Sequence, residues 1–142
     1  MKLTAKARIA VTALADIAAY GGLGPVSLAD IGSRHRMSVP FLEQTFGKLR
    51  KAGLVESRRG AGGGYVLAHP AKAITVASVV RAIDEEIRST ACRPGAAKGC
   101  TGTSAHCLTH GLWHDLDRMI EGYLEGVTLA DIADGVKVVT DA

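Results

Sequence analysis

Residues 27–53, SLADIGSRHRMSVPFLEQTFGKLRKAG, hold two helix starts and two helix stops in close succession. Ser27 precedes an apolar-periodic stretch, and Asp30 stands three residues on, where its carboxylate can return a hydrogen bond to the cap. A short helix is expected to about His35. Ser38 caps the next segment, Pro40 is tolerated in the first turn, where an amide has no intrahelical acceptor, and Gly53 ends it. Two helices joined by a few residues form a helix-turn-helix. On the second, Leu42, Phe46 and Leu49 fall on one narrow stripe at about 100° per residue. Gln44, Lys48 and Lys51 fall opposite, flanked by Glu43 and Arg50, so a core face and a polar, basic face are separable.

The next stretch, residues 54–68, LVESRRGAGGGYVLA, alternates apolar and polar residues on both sides of a glycine-rich tip, as a two-stranded hairpin does. Arg58 and Arg59 stand at the approach to that tip and make a basic wing. A phosphate-binding loop is the competing reading of GAGGG. Neither Lys-Ser nor Lys-Thr follows, and strand-like rather than helical residues come next, which argues against a nucleotide site.

Outward from this core, residues 4–20 offer Thr4 as a cap, with Ile9, Ala10, Ala13, Leu14 and Ile17 at helical spacing and Gly21-Gly22 as the stop. Thr75 caps a short helix whose apolar side is Val76, Val79, Val80 and Ile83. From about Cys107 to Leu124 the chain is strongly amphipathic, with Leu108, Leu112, Leu116, Met119, Ile120 and Tyr123 on one side. Trp113 and Leu124 widen that stripe beyond what a small domain covers, which suggests a dimerisation helix. Thr128 and Asp131 then start a last short turn. The expected organisation is a winged helix-turn-helix over residues 1–84, a loop over 85–106, a dimerisation helix and C-terminal turn over 107–135, and a tail over 136–142. The fold class is mainly α with a small β-hairpin wing.

Composition agrees. Of 142 residues, 47% are hydrophobic but only 4% aromatic, so the core must be built mainly from Ala, Val, Leu and Ile. No apolar stretch is long enough to span a bilayer, and the expected location is the cytoplasm, with no membrane partner. Residues 1–72 carry 11 Lys plus Arg against 4 Asp plus Glu, whereas residues 73–142 carry 6 against 10. Charge so divided points to one directed basic surface for a polyanion. An ordinary solvated basic face is the plain alternative, but paired helices, helix polarity and an arginine wing all favour double-stranded DNA. Ser38, Phe41, Glu43 and Gln44 are then placed for base edges, although Ser38 could only cap and Phe41 could only pack. Lys48, Arg50, Lys51 and Arg59 suit phosphate.

The three cysteines of the chain fall at Cys92, Cys100 and Cys107, with His110 close behind, in a C-x7-C-x6-C-x2-H spacing. Structural zinc sites favour tighter C-x2-4-C pairs, and wide spacing suits a larger centre; three thiolates and one imidazole supply the four ligands of a binuclear iron-sulfur cluster. His106 and His114 compete for the nitrogen position, and zinc or incidental surface thiols remain the alternatives. Were Cys107 inside the helix, it and His110 would share one side. No separate base is placed to make a cysteine nucleophile, so an enzyme is not expected.

The segments LTAKARIAVTALADIA, GPVSLADI, FLEQTFGKLRKAGLVESRRGAGGGYVL and CLTHGLWHDL together resemble the IscR family of bacterial iron-sulfur cluster regulators, within a wider winged-helix family of transcription regulators. The resemblance covers residues 1 to about 135. It implies a homodimeric regulator, holding one [2Fe-2S] cluster per subunit received from the cell's cluster assembly machinery. Such a regulator represses cluster-biogenesis genes at promoter operators, activates others, and chooses DNA sites by cluster occupancy. By the resemblance, Cys92, Cys100, Cys107 and His110 are the ligands and Glu43 tunes discrimination between site classes. Pro40 and Phe41 stand in the DNA-facing turn where a small polar residue and a tyrosine are expected, and the inter-cysteine loops are longer than the family's. Nitric oxide- or iron-responsive repressors share the fold and the three cysteines; C-L-T-H-x-L-W favours the IscR type over them.

Overall fold

The computed structural model of the chain describes residues 5–85 and 108–135. Helix α1 (Ala5–Tyr20) is the central post. Its buried face consists of Ala7, Ala10, Ala13, Leu14, Asp16 and Ile17. Four of those six are Ala or Asp, so neighbouring helices approach closely. Ile9 is only partly buried and packs at the margin of the core. The expected Thr4 cap lies outside the described residues.

After a single 3-10 turn (Gly21–Leu23) come α2 (Leu28–His35) and α3 (Val39–Lys51). Ser27 Oγ accepts from the Asp30 amide at 3.1 Å, and Ser38 Oγ accepts from the Phe41 amide at 3.4 Å, as the caps require. Arg36 closes α2 in the left-handed region at φ 56°, and the Met37 amide donates to the Gly32 carbonyl at 2.9 Å. The turn of the helix-turn-helix presses on α2 at Gly32, where a Cβ would come within 2.7 Å of the Met37 carbonyl oxygen. Glycine is required there by space.

Strands β1 (Val55–Arg58) and β2 (Gly64–Leu67) pair antiparallel, Val55 opposite Leu67 and Arg58 opposite Gly64. A two-residue bridge between Val26 and Tyr65 ties this wing to the loop before α2. The Phe46 and Tyr65 rings meet at 4.8 Å between centroids, so α3 and the wing are packed as one body. Burying a side chain such as Phe46 or Leu49 contributes about 1.5–3 kcal/mol.

Helix α4 (Val76–Ala82), capped by Thr75, buries Val76, Ala77, Val79 and Val80 against α1. Helix α5 runs His110–Glu125, and α6, Leu129–Ala133, carries a full Thr128/Asp131 capping box. The last short turn expected from Thr128 and Asp131 is this helix, and it packs back onto α1. Val76 N donates to the Val127 carbonyl at 2.9 Å and Leu129 N to that of Ile74 at 3.0 Å, and Leu129 is fully buried. Among the described residues, the buried hydrophobic core holds a single aromatic ring, Phe46, in keeping with a chain that is 4% aromatic.

Helix α5 starts at His110 rather than Cys107, with Leu108 fully exposed before it. Its apolar stripe is split. Ile120 and Leu124 pack on the core, whereas Leu112, Met119 and Tyr123 stand 59%, 71% and 43% exposed. No residue of α5 is fully buried. The helix is fastened to α4 by Arg81, whose guanidinium donates to the carboxylates of Glu121 and Glu125. Among the described residues, no helix is long and apolar enough to cross a membrane.

Candidate nucleic-acid interface and ligand segment

Helix α3 divides as its periodicity predicts. Leu42, Thr45, Phe46 and Leu49 are buried, and Glu43, Gln44, Lys48, Arg50 and Lys51 are exposed. Core packing thus fixes the rotation of the helix about its own axis. That rotation turns two hydrogen-bonding side chains and three cations outward together, the pattern a groove-reading helix needs. At its N-terminal end Ser38 is spent as a cap, Pro40 is exposed, and Phe41 is half-buried. Phe41 lines a small notch with Gln44, Thr45, Lys48 and Ile83, and its carbonyl accepts from Thr45 Oγ1 at 3.0 Å.

On the wing, Arg58 ends β1 and pairs with Glu56 at 3.1 Å, while Arg59 is exposed in the turn beyond it. Two cations of the expected DNA surface therefore carry an acidic neighbour: the wing's Arg58 has Glu56, and Nζ of Lys48, an expected phosphate ligand, lies 3.8 Å from Asp84 Oδ2. Both pairs are solvent-exposed, where ion pairs contribute little and exchange readily.

Behind the interface sits a cluster that sequence reasoning did not single out. The Asp16 carboxylate on α1 is fully shielded from solvent. It accepts from Arg34 Nε and Nη2, each at 2.7 Å, and from His35 Nε2, also at 2.7 Å. Burial pushes the Asp16 carboxyl up, but the hydrogen bonds and charges of Arg34 and His35 outweigh it and hold the group below its ordinary value. Arg34 also lies over the Tyr20 ring, 4.4 Å from its centroid. The end of α2 is thereby locked to α1. An acidic residue inside the apolar face of α1, between Leu14 and Ile17, was the sequence signal that could have announced it.

Of the ligand set, Cys92, Cys100 and Cys107 lie outside the described residues, as does His106. His110 opens α5, half-buried, with the His114 ring stacked against it at 6.3 Å. Among the described residues no group of three or more metal-ligating side chains converges. In donor chemistry, three thiolates and an imidazole match in kind and number what two irons need from protein.

The chain matches the family model Rrf2, described as an iron-dependent transcriptional regulator, over residues 3–135. It is 46% identical over 142 residues to the HTH-type transcriptional regulator IscR of Serratia proteamaculans, covering 100% of this chain and 85% of that one. With the IscR of Yersinia pseudotuberculosis it shares 48% identity over 134 residues, covering 94% and 80% of the two chains. Among solved structures it superposes on T. potens IscR with a TM-score of 0.76 and 34% identity, over 100% of this chain and 93% of that one. Similarity extends to CymR, the global cysteine regulator of B. subtilis, at a TM-score of 0.80 and 31% identity, over 96% and 99%. These relatives are named as regulators, not enzymes. A family model spanning nearly the whole described fold, joined to full-length relatives of this identity, places the chain in the Rrf2 family of DNA-binding transcriptional regulators.

Proposed function

We propose that this chain is a homodimeric, cytoplasmic regulator that reads promoter DNA through α3 and the wing and controls iron-sulfur cluster biogenesis genes according to [2Fe-2S] occupancy. The observation that carries the DNA half of this reading is the clean division of α3 into a buried apolar face and an exposed face of Glu43, Gln44, Lys48, Arg50 and Lys51. Glu43 and Gln44 contact base edges, with Glu accepting from cytosine and Gln pairing with adenine. Lys48, Arg50, Lys51, Arg58 and Arg59 neutralise phosphate, and Ser38, Pro40 and Phe41 set the approach of the helix N-terminus.

Cys92, Cys100, Cys107 and His110 would hold the cluster, one per subunit, delivered by the cell's assembly machinery. When bound, it would supply a cross-link among these four residues that is lost under cluster shortage. Support for a link to DNA comes from the packing. His110 begins α5, the Arg81–Glu121/Glu125 clamp ties α5 to α4, and Ile83 at the end of α4 lines the notch against Phe41 and Lys48 of α3. Ordering at one end of this chain of contacts biases the other. The exposed Leu112, Met119 and Tyr123 of α5 support a partner subunit on that face.

Anaerobic purification with an absorption spectrum and iron and sulfide analysis tests the reading. Visible cluster absorption lost in Cys100→Ala, together with altered preference among promoter duplexes, is the expected result. Zinc without iron or sulfide overturns it in favour of a purely structural site, and unchanged preference in Cys100→Ala overturns occupancy-dependent site choice.

A further inference from the structure

We propose that Asp84 is an internal competitor for the DNA phosphate that Lys48 binds, and so holds down the affinity of the recognition helix. Lys48 lies on the exposed face of α3, and its ammonium is 3.8 Å from the Asp84 carboxylate just beyond α4. The Asp84 side chain is 83% exposed, so neither burial nor packing explains its presence beside a basic surface.

Its backbone, by contrast, is tightly specified. Asp84 adopts φ 63°, in the left-handed region that non-glycine residues rarely enter, and its amide donates to the Arg81 carbonyl at 3.1 Å. Ile83 before it is buried in the core and lines the same notch as Phe41, Gln44, Thr45 and Lys48. A rigid, core-anchored turn therefore presents one freely solvated carboxylate to one cation of the α3 face. An exposed pair at this distance adds little to folding stability, but it changes the field at the position where phosphate must sit. Carboxylate and phosphate oxygens are the same kind of acceptor for an ammonium group, and two anions converging on it repel each other.

The inference rests on Lys48 being a phosphate ligand, as proposed above, and its test separates the two. Binding of a mixed-sequence DNA duplex at low salt is measured for the full chain, for Asp84→Asn, for Lys48→Ala and for the double variant. Asparagine tolerates the left-handed backbone, and Asp84→Gly gives a second variant suited to it. The expected result is that Asp84→Asn binds about two- to fivefold tighter, the worth of an exposed ion pair, and that this gain vanishes in the Lys48→Ala background. Equal tightening in both backgrounds makes Asp84 a general repulsive charge and overturns the proposal. No tightening from Asp84→Asn, with Lys48→Ala still weakening binding and lowering the salt slope by about 0.9, overturns it while leaving the phosphate role intact. If Lys48→Ala changes neither affinity nor slope, the phosphate role fails and the competition with it.

Discussion

Asp16→Asn removes one charge from the shielded cluster that locks α2 to α1 while keeping the size of the side chain. In the wild type the carboxylate accepts three hydrogen bonds of 2.7 Å from Arg34 and His35. Asparagine keeps one oxygen and puts an NH2 in place of the other, so at least one donor loses its partner and an N–H is turned toward a guanidinium. Hydrogen bonds to a charged group contribute about 1.5–3 kcal/mol each, but they are not additive. The Arg34 and His35 side chains are 35% and 32% exposed, so water replaces part of what they lose. The expected destabilisation is about 2 kcal/mol, well short of the ~3–5 kcal/mol of a fully buried broken pair. For a domain of this size that is a fall in Tm of roughly 6–10 °C.

Urea unfolding followed by circular dichroism across pH provides the assay, because the pH course carries the sharper test. Asp16 is held below its ordinary value in the folded chain. Its stabilisation is fully present above the unfolded carboxyl pKa of about 3.9 and is lost as pH falls through the lower folded value. The gap between wild type and Asp16→Asn should therefore be constant from neutral pH down to about 4 and close below that. Equal midpoints at pH 7, or a gap that persists undiminished in acid, would refute the assigned role of the carboxylate.

Gly64→Ala should loosen the wing: a Cβ there would sit 2.3 Å from the Val26 carbonyl oxygen, so the two-bond bridge between Val26 and Tyr65 must open. A loss of roughly 2 kcal/mol in urea unfolding and weaker DNA binding are expected; unchanged stability would show that the wing is not clamped at this point. Met119→Glu places a charge on the exposed stripe of α5, at a residue 71% exposed within the single chain. With α5 as the dimer seam proposed above, sedimentation should then report monomers for the variant and dimers for the wild type, and a variant that stays dimeric assigns the seam to another face.

Most of what organises this protein is written within one or two helical turns of itself. Ser27, Ser38, Thr75 and Thr128 each cap the helix they precede, Gly53 follows α3, and the Leu42–Phe46–Leu49 stripe is the buried stripe. The Val55–Arg58 and Gly64–Leu67 strands stand on either side of the glycine run, as their alternation implies. Caps, period and turn chemistry are local, so a sequence states them directly. The proposed donor set of Cys92, Cys100, Cys107 and His110 is read from spacing and resemblance, and its three cysteines lie outside the described residues.

What the sequence left open are the relations between segments far apart along it. That Asp16 would meet Arg34 and His35, that Lys48 would face Asp84, and that Arg81 would hold Glu121 and Glu125 depends on which helices pack together and at what rotation. The apolar stripe of α5 looked uniform in sequence, yet only Ile120 and Leu124 reach the core, because α4 covers one edge of the helix and leaves Leu112, Met119 and Tyr123 outside. Residue type and period by themselves determined the helix-turn-helix, the wing and the outward basic face. Packing alone decided how α1 is tied to α2, which cations of that face carry an acidic neighbour, and where α6 returns, since a long-range contact has no signature until the chain has closed around its core.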